Sequence, residues 1–127
     1  MPTLTEHAVT EYFAAIRAMD AQRWVSLFAP DAVTQDPVGT PPVQGHEALL
    51  GFITHVFSSF QQVALTETDV FVRETSAAVR WTGHAVAPNG KEVDFAGIDV
   101  IDCDETGRIV NVRAFWNPEP VFAALQE

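Results

Sequence analysis

The sequence predicts an α+β fold in which N-terminal helices pack on one face of a curved, mostly antiparallel sheet. Two observations carry this reading. Up to Phe57 the apolar residues recur with helical spacing, and from Val63 onward they alternate and are interrupted by turn residues. The length adds a third: 127 residues suit one domain, read as spanning 1–127. Such a chain buries roughly two-thirds of its unfolded surface, enough for a core without disulfide or metal staples.

The first helix is expected to start near Leu4, because Thr3 and Glu6 have the spacing of a capping box. Val9, Tyr12, Phe13, Ile16 and Met19 then fall on one buried face. Asp20 is placed to end that helix and cap a second, short one from Ala21 to Phe28. Ala29-Pro30-Asp31 breaks the run, and Ala32 to Asp36 reads as a short extended segment. Pro37 disfavours helix at Asp36, and Gly39-Thr40-Pro41-Pro42 is loop. Gly45 to Phe57 predicts a third helix, with Leu49, Leu50, Ile53 and Val56 inward and Phe52 beside them. Val63, Leu65, Val70 and Phe71 suggest one strand, and Ala77 to His84 another. Pro88-Asn89-Gly90-Lys91 is a turn into a long strand, Glu92 to Cys103. Asp104 to Gly107 turns again, Arg108 to Trp116 is the antiparallel partner, and a short helical tail follows Asn117-Pro118.

Composition excludes several function classes. Seven basic against 17 acidic side chains leave a net charge of −10, with Lys91 the only lysine and the arginines scattered. Nucleic acid and anionic membrane need clustered positive charge, so neither is an expected partner. A single cysteine, Cys103, rules out an internal disulfide or a CxxC motif. No apolar run approaches the ~20 residues of a membrane span, and MPTLTEHAVTEY lacks the basic start and apolar centre of a secretory signal. A cytoplasmic location is the default expectation.

Phosphate and dinucleotide motifs are missing, and His46-Glu47 is followed by Leu50 where an HExxH motif needs its second histidine. His7, His46, His55 and His84 have no ligand spacing, so no metal is expected. Three polar residues instead sit where local rules disfavour them. Tyr12, the only tyrosine, lies in the apolar face of the first helix, and a buried phenol needs a hydrogen-bond partner. Asp99 shares its strand face with Val93, Phe95, Gly97, Ile101 and Cys103, while Ala96, Ile98 and Val100 occupy the other. An ionised carboxylate there is costly, so its pKa should rise and the acid should stay protonated. Asp36 is held extended by Pro37. Each has an ordinary explanation: a core aromatic tied to a carbonyl, an ion-paired or edge aspartate, and an Asp-Pro-x-Gly turn opener. Together they suit proton abstraction beside a carbonyl, with one carboxylate as base and a phenol and a neutral acid donating to an enolate oxygen.

Several segments carry a resemblance to bacterial ketosteroid isomerases, within the wider NTF2-like superfamily. They are Tyr12 with Asp20, Trp24-Val25-Ser26-Leu27-Phe28-Ala29-Pro30-Asp31-Ala32, Asp36-Pro37-Val38-Gly39, Pro42 and Gly45. Asp99-Val100-Ile101, Asp104-Glu105-x-Gly107-Arg108-Ile109 and Ala114-Phe115-Trp116 continue the likeness over nearly the whole chain. The first half is shared by many NTF2-like proteins. The specific part is the coincidence of three residues: Tyr12 falls on that family's oxyanion tyrosine, Asp36 on its base and Asp99 on its protonated oxyanion aspartate. A carboxylic acid kept neutral in an apolar site is a known property of that family and comes with the resemblance.

The resemblance implies an NTF2-like (cystatin-like) cone with a deep apolar pocket, a homodimer packed through the sheets, and no cofactor or metal. It implies that Asp36 moves a proton from C4 to C6 of a Δ5-3-ketosteroid while Tyr12 and neutral Asp99 hold the dienolate oxygen. Ile16, Phe52, Phe95 and Trp116 are the expected substrate contacts, Trp116 falling on a tryptophan found at the steroid pocket of some members. Well-known members carry further tyrosines behind the oxyanion tyrosine; here Ile53 and Phe28 stand in those places. Another NTF2-like enzyme, of polyketide cyclase or hydratase type, and a non-catalytic small-molecule binding module are the alternative readings. Neither needs both Tyr12 and Asp99 as donors to one oxyanion.

Overall fold

The computed structural model describes residues 2–126. Its first helix, α1 (Leu4–Arg17), carries the anticipated capping box: Thr3 Oγ1 accepts from the Glu6 N–H at 3.1 Å, and the Glu6 carboxylate accepts from the Thr3 N–H at 3.0 Å. Val9, Tyr12, Phe13 and Ile16 are buried as the spacing requires. Met19 packs against the core, partly buried, but not as part of the helix. The helix ends at Arg17, and Met19 lies beyond it with φ 51°, where the chain turns.

Asp20 caps α2 (Ala21–Ser26) by accepting from the Arg23 N–H at 3.0 Å. This helix is shorter than expected, because Phe28 already belongs to a strand, β1 (Phe28–Gln35). Pro30 sits inside that strand. It is tolerated because the ladder to the neighbouring strand is irregular between Phe28 and Val33, so no bond is asked of the missing N–H. A two-residue strand, β2 (Val43–Gln44), pairs with β1 and precedes α3 (His46–Ser58). On α3, Leu49, Ile53 and Phe57 are fully buried, while Leu50, Phe52 and Val56 keep some exposure.

A meander follows: β3 (Gln62–Arg73), β4 (Ser76–Val86), β5 (Glu92–Cys103) and β6 (Ile109–Phe115). The short helix α4 (Pro118–Leu125), with proline in its first turn, then packs against β5. The six strands form one open sheet in the order β2-β1-β6-β5-β4-β3. Every pairing is antiparallel except β1 with β6, which is parallel. Register irregularities in three of the ladders bend the strands, and a bent sheet can wrap the helices laid on its inner face.

The core lies between that face and α1 and α3. Trp24, Trp81, Phe13 and Phe28 are among its largest fully buried side chains. Each contributes about 1.5–3 kcal/mol by leaving water. The outer face of the sheet is less covered: Phe71, Ile98 and Phe115 are exposed there, with Arg80 and Arg113 among them.

Candidate active site

The hydrogen-bonding pattern of the sheet brings Asp36 and Asp99 together. Gln35, the last residue of β1, lies opposite Arg113 of β6, and the Val38 N–H donates to the Ala114 carbonyl at 2.8 Å. The bend holding Asp36 is therefore strapped to β6 at Ala114, and Ala114 is the register partner of Asp99 on β5. Tyr12 enters from above on α1. All three line one cavity between the sheet and the helices. Ile16, Phe52, Phe95 and Trp116 line the same cavity, with Ile53 and Trp81 completing the wall near Tyr12 and Asp99. The seven residues singled out from sequence thus share one chamber, whose lining is overwhelmingly apolar.

The electrostatics of the three polar groups follow from that lining. Burial pushes the Asp99 carboxyl up to about 8, and the nearby Asp36 charge adds to the rise. A carboxylic acid at this position is therefore largely protonated at neutral pH. Asp36 keeps some exposure at the residue level, yet enough protein surrounds its carboxyl that desolvation also raises its pKa, against the lowering effect of the Trp116 hydrogen bond. Of the pair, Asp36 ionises first, which separates a base from an acid. Tyr12 is pushed well above the ordinary phenol range by burial first, then by the two carboxylates, so it stays an O–H donor.

Sequence reasoning missed the contribution of the other tryptophans. The chain has three, and each stands beside one of the three polar groups. The Trp116 Nε1–H donates to Asp36 Oδ1 at 2.6 Å. The Trp81 Nε1–H donates to Asp99 Oδ1 at 3.0 Å, with both residues 2% exposed. Trp24 packs beside Tyr12, ring centroids 5.9 Å apart, and its N–H opposes part of the rise in the Tyr12 pKa. That buried N–H has no full hydrogen-bond partner among the described residues. The register explains Trp81: the hairpin loop is Pro88-Asn89-Gly90, with the Ala87 N–H donating to the Lys91 carbonyl. Counting back from that pair sets Trp81 opposite Gly97, on the same sheet face as Asp99, whereas a two-residue Asn89-Gly90 turn would set it opposite Ile98.

No cluster of three or more His, Cys, Asp or Glu side chains able to hold a metal occurs among the described residues. Among them, too, no helix is long and apolar enough to cross a membrane. His84 is a half-buried cross-strand residue bonded to Asp94 and Glu92 at 2.7 and 2.9 Å, away from the cavity.

Residues 9–112 match the family described as SnoaL-like domain. The chain belongs to the SnoaL-like domain family. Within this NTF2-like group, the Steroid Delta-isomerase of Nocardioides simplex is 29% identical over 111 residues, covering 87% of this chain and 88% of the relative. The Epoxide hydrolase LasB of Streptomyces lasalocidi is 28% identical over 121 residues, covering 90% of this chain but 42% of that longer relative. Two solved structures share the fold. The epoxide hydrolase/cyclase-like enzyme SalBIII, described in pyran ring formation in polyether salinomycin, superposes with TM-score 0.81 at 24% identity, covering 89% of this chain and 90% of that one. A Mycobacterium tuberculosis protein in complex with estradiol-17β-hemisuccinate superposes with TM-score 0.83 at 22% identity, covering 91% and 95%. The relatives at the sequence level are enzymes, a steroid isomerase and an epoxide hydrolase, and they differ in reaction.

The misplaced carboxyl of Asp99 has a measurable consequence for stability. Its folded pKa of about 8 lies above the ~3.9 of an unfolded aspartate. Between those values the folded chain holds more protons than the unfolded one, so this group's contribution falls as pH rises from about 4 to about 8 and levels off above. Asp99→Asn has no carboxyl to ionise and keeps an acceptor for Trp81. Its melting temperature is expected to exceed wild type by more at pH 8 than at pH 5. Equal differences at the two pH values would contradict a raised Asp99 pKa.

Proposed function

We propose that this SnoaL-like protein is a steroid Δ-isomerase, moving a C=C bond from Δ5 to Δ4 in a 3-ketosteroid. The observation that carries the reading is the chamber itself. An ionisable carboxylate, a neutral carboxylic acid and a phenol line one apolar cavity. Asp36 takes the C4 proton, which is acidic because it lies between the carbonyl and the alkene. The electron pair moves into a dienolate whose oxygen at C3 receives hydrogen bonds from the Tyr12 hydroxyl and the Asp99 acid. Asp36 then returns the proton to C6, giving the conjugated enone. Phe52, Phe95, Ile16 and Trp116 cover the flat apolar rings, and none of these steps calls for a cofactor. The similarity to a steroid Δ-isomerase over most of both chains supports this reading, as does the steroid-bound structural neighbour.

The similarity to LasB favours a second reading, in which Asp99 protonates an epoxide oxygen and Asp36 deprotonates the attacking hydroxyl. Incubation with a Δ5-3-ketosteroid and, separately, with a hydroxy-epoxide distinguishes the two. Accumulation of the Δ4 enone with the epoxide left intact supports the isomerase; epoxide consumption with no enone supports the cyclase. A binding module does neither.

The exposed apolar residues on the outer sheet face, Phe71, Ile98 and Phe115, support a homodimer in which a second copy covers them. Light scattering at micromolar concentration is expected to give twice the 13.9 kDa chain mass, and replacing both Ile98 and Phe115 by Asp to give the monomer. A wild-type monomer would contradict this packing.

A further inference from the structure

Asp99 is held by one hydrogen bond among the described residues, from the Trp81 indole to Oδ1 at 3.0 Å. An indole N–H only donates, so the oxygen it meets must accept. In a neutral carboxylic acid one oxygen carries the proton and the other accepts. Trp81 therefore assigns the accepting role to Oδ1 and leaves Oδ2, with no partner among the described residues, to carry the proton at the cavity wall. The ring is fixed in place. Trp81 and Gly97 are register partners, and a Cβ at residue 97 would lie 2.4 Å from Trp81 Cζ2 and 2.6 Å from the Phe115 carbonyl. Only a glycine there lets the indole lie flat over β5 and reach the next inward residue, Asp99. Phe95 holds the other side, its ring 5.5 Å from Trp81 at 85°.

We propose that Trp81 is a positioning residue for Asp99: its N–H occupies Oδ1, orients the carboxyl and directs the acid proton on Oδ2 toward the substrate oxygen. Gly97 makes the room that this arrangement needs. The role in turnover rests on the isomerase reading; the orientation of Asp99 does not. A bond to Oδ1 also favours the ionised acid, so Trp81 holds the Asp99 pKa below the value that burial alone would produce. The titratable groups facing Asp99 are Tyr12 from α1 and Asp36 from the bend after β1, while β4 and β6 present Val79, Trp81 and Ala114. Asp36 is ionised and Tyr12 neutral through the window concerned, so Asp99 is the group that titrates there.

Trp81→Phe keeps a ring and deletes the donor. The alkaline limit of isomerisation, where Asp99 loses its proton, is expected to move up by about one pH unit. Turnover is expected to fall about tenfold, with KM little changed, because a free carboxyl must be oriented at each turnover. Loosened packing alone would lower stability or turnover without moving the pH limit. An unmoved limit in the folded variant would overturn the proposal. A second measurement uses the wild type and survives a variant that fails to fold. The Trp81 indole 1H–15N resonance is expected to titrate near pH 8, following Asp99, and to stop titrating in Asp99→Asn. A resonance indifferent to pH, or one that titrates equally in Asp99→Asn, would overturn it. If the resonance follows Asp99 in a protein with no isomerase turnover, Trp81 still positions Asp99 and the isomerase reading is what fails.

Discussion

Asp36→Asn is expected to lower isomerase turnover by more than the ~10²–10⁴ that an auxiliary acid-base group contributes. The reason is that in the proposed isomerisation both proton transfers run through one group. An amide cannot accept the C4 proton, and among the described residues no other ionised side chain lines the chamber: Asp99 is neutral and Tyr12 is held protonated. The substitution is gentle in every other respect. Asn keeps an oxygen to accept from the Trp116 indole, and the Val38–Ala114 strap that holds the bend uses backbone atoms. Circular dichroism and steroid affinity should therefore stay near wild type while kcat collapses. In the wild type the acid limit of turnover marks protonation of Asp36. Because that pKa is raised, activity should begin to fall above the ~3.9 of a free aspartate. A variant with near-wild-type kcat would remove Asp36 from the mechanism.

Tyr12→Phe and Asp99→Ala are each expected to cost about 10²–10³ in kcat, the usual effect of deleting a donor to a developing oxyanion. Their combination should cost less than the product of the two, because in the proposed reaction both groups serve one oxygen and either can tighten its bond when the other is lost. Asp99→Asn should be milder than Asp99→Ala, since an amide N–H2 still donates. If Asp99→Asn is instead far worse than Asp99→Ala, Asp99 acts as an anion and its assignment as the neutral donor fails. Single-turnover rates for the four variants and wild type measure this cycle.

Local patterns were well legible in the sequence. The capping box at Thr3, the face through Val9, Phe13 and Ile16, the cap at Asp20 and the β5 boundaries all rest on neighbours a few residues away, and each appears in the structure. What stayed hidden depends on distant partners. Phe28 and Pro30 read as a helix end and a breaker, yet parallel pairing of Phe28 and of Val33 to Gln35 with β6 draws the segment into a strand that carries the unpaired Pro30 inside it. No turn joins β1 to β6, so nothing near Phe28 announces it. Met19 kept the helical period on paper, but the chain leaves the helix two residues earlier.

The candidate site divides in the same way. Tyr12 and Asp99 stood out because each breaks the apolar pattern of its own element, which is a local signal. Their meeting in one cavity with Asp36 required the β1–β6 pairing. The tryptophan donors were concealed for a different reason. Trp24 and Trp81 fit their apolar faces, so no rule flagged them, and the N–H that matters is a single atom on a side chain read as hydrophobic. Register, set by a hairpin loop of three residues, Pro88-Asn89-Gly90, rather than two, is what converts Trp81 from a core residue into the partner of Asp99.

In the proposed reaction one buried carboxylate carries a single hydrogen from C4 to C6 while the dienolate is held in place. The fate of that hydrogen tests it most directly. The protein is mixed with 5-androstene-3,17-dione labelled with deuterium at C4, and the product is analysed after less than one turnover. The expected product is the conjugated Δ4 enone, detected by its ultraviolet absorbance, with a substantial share of the label at C6, because burial of the Asp36 carboxyl slows its exchange with solvent. Absence of enone, or enone whose C6 hydrogen comes wholly from solvent and forms equally fast with Asp36→Asn, would contradict it.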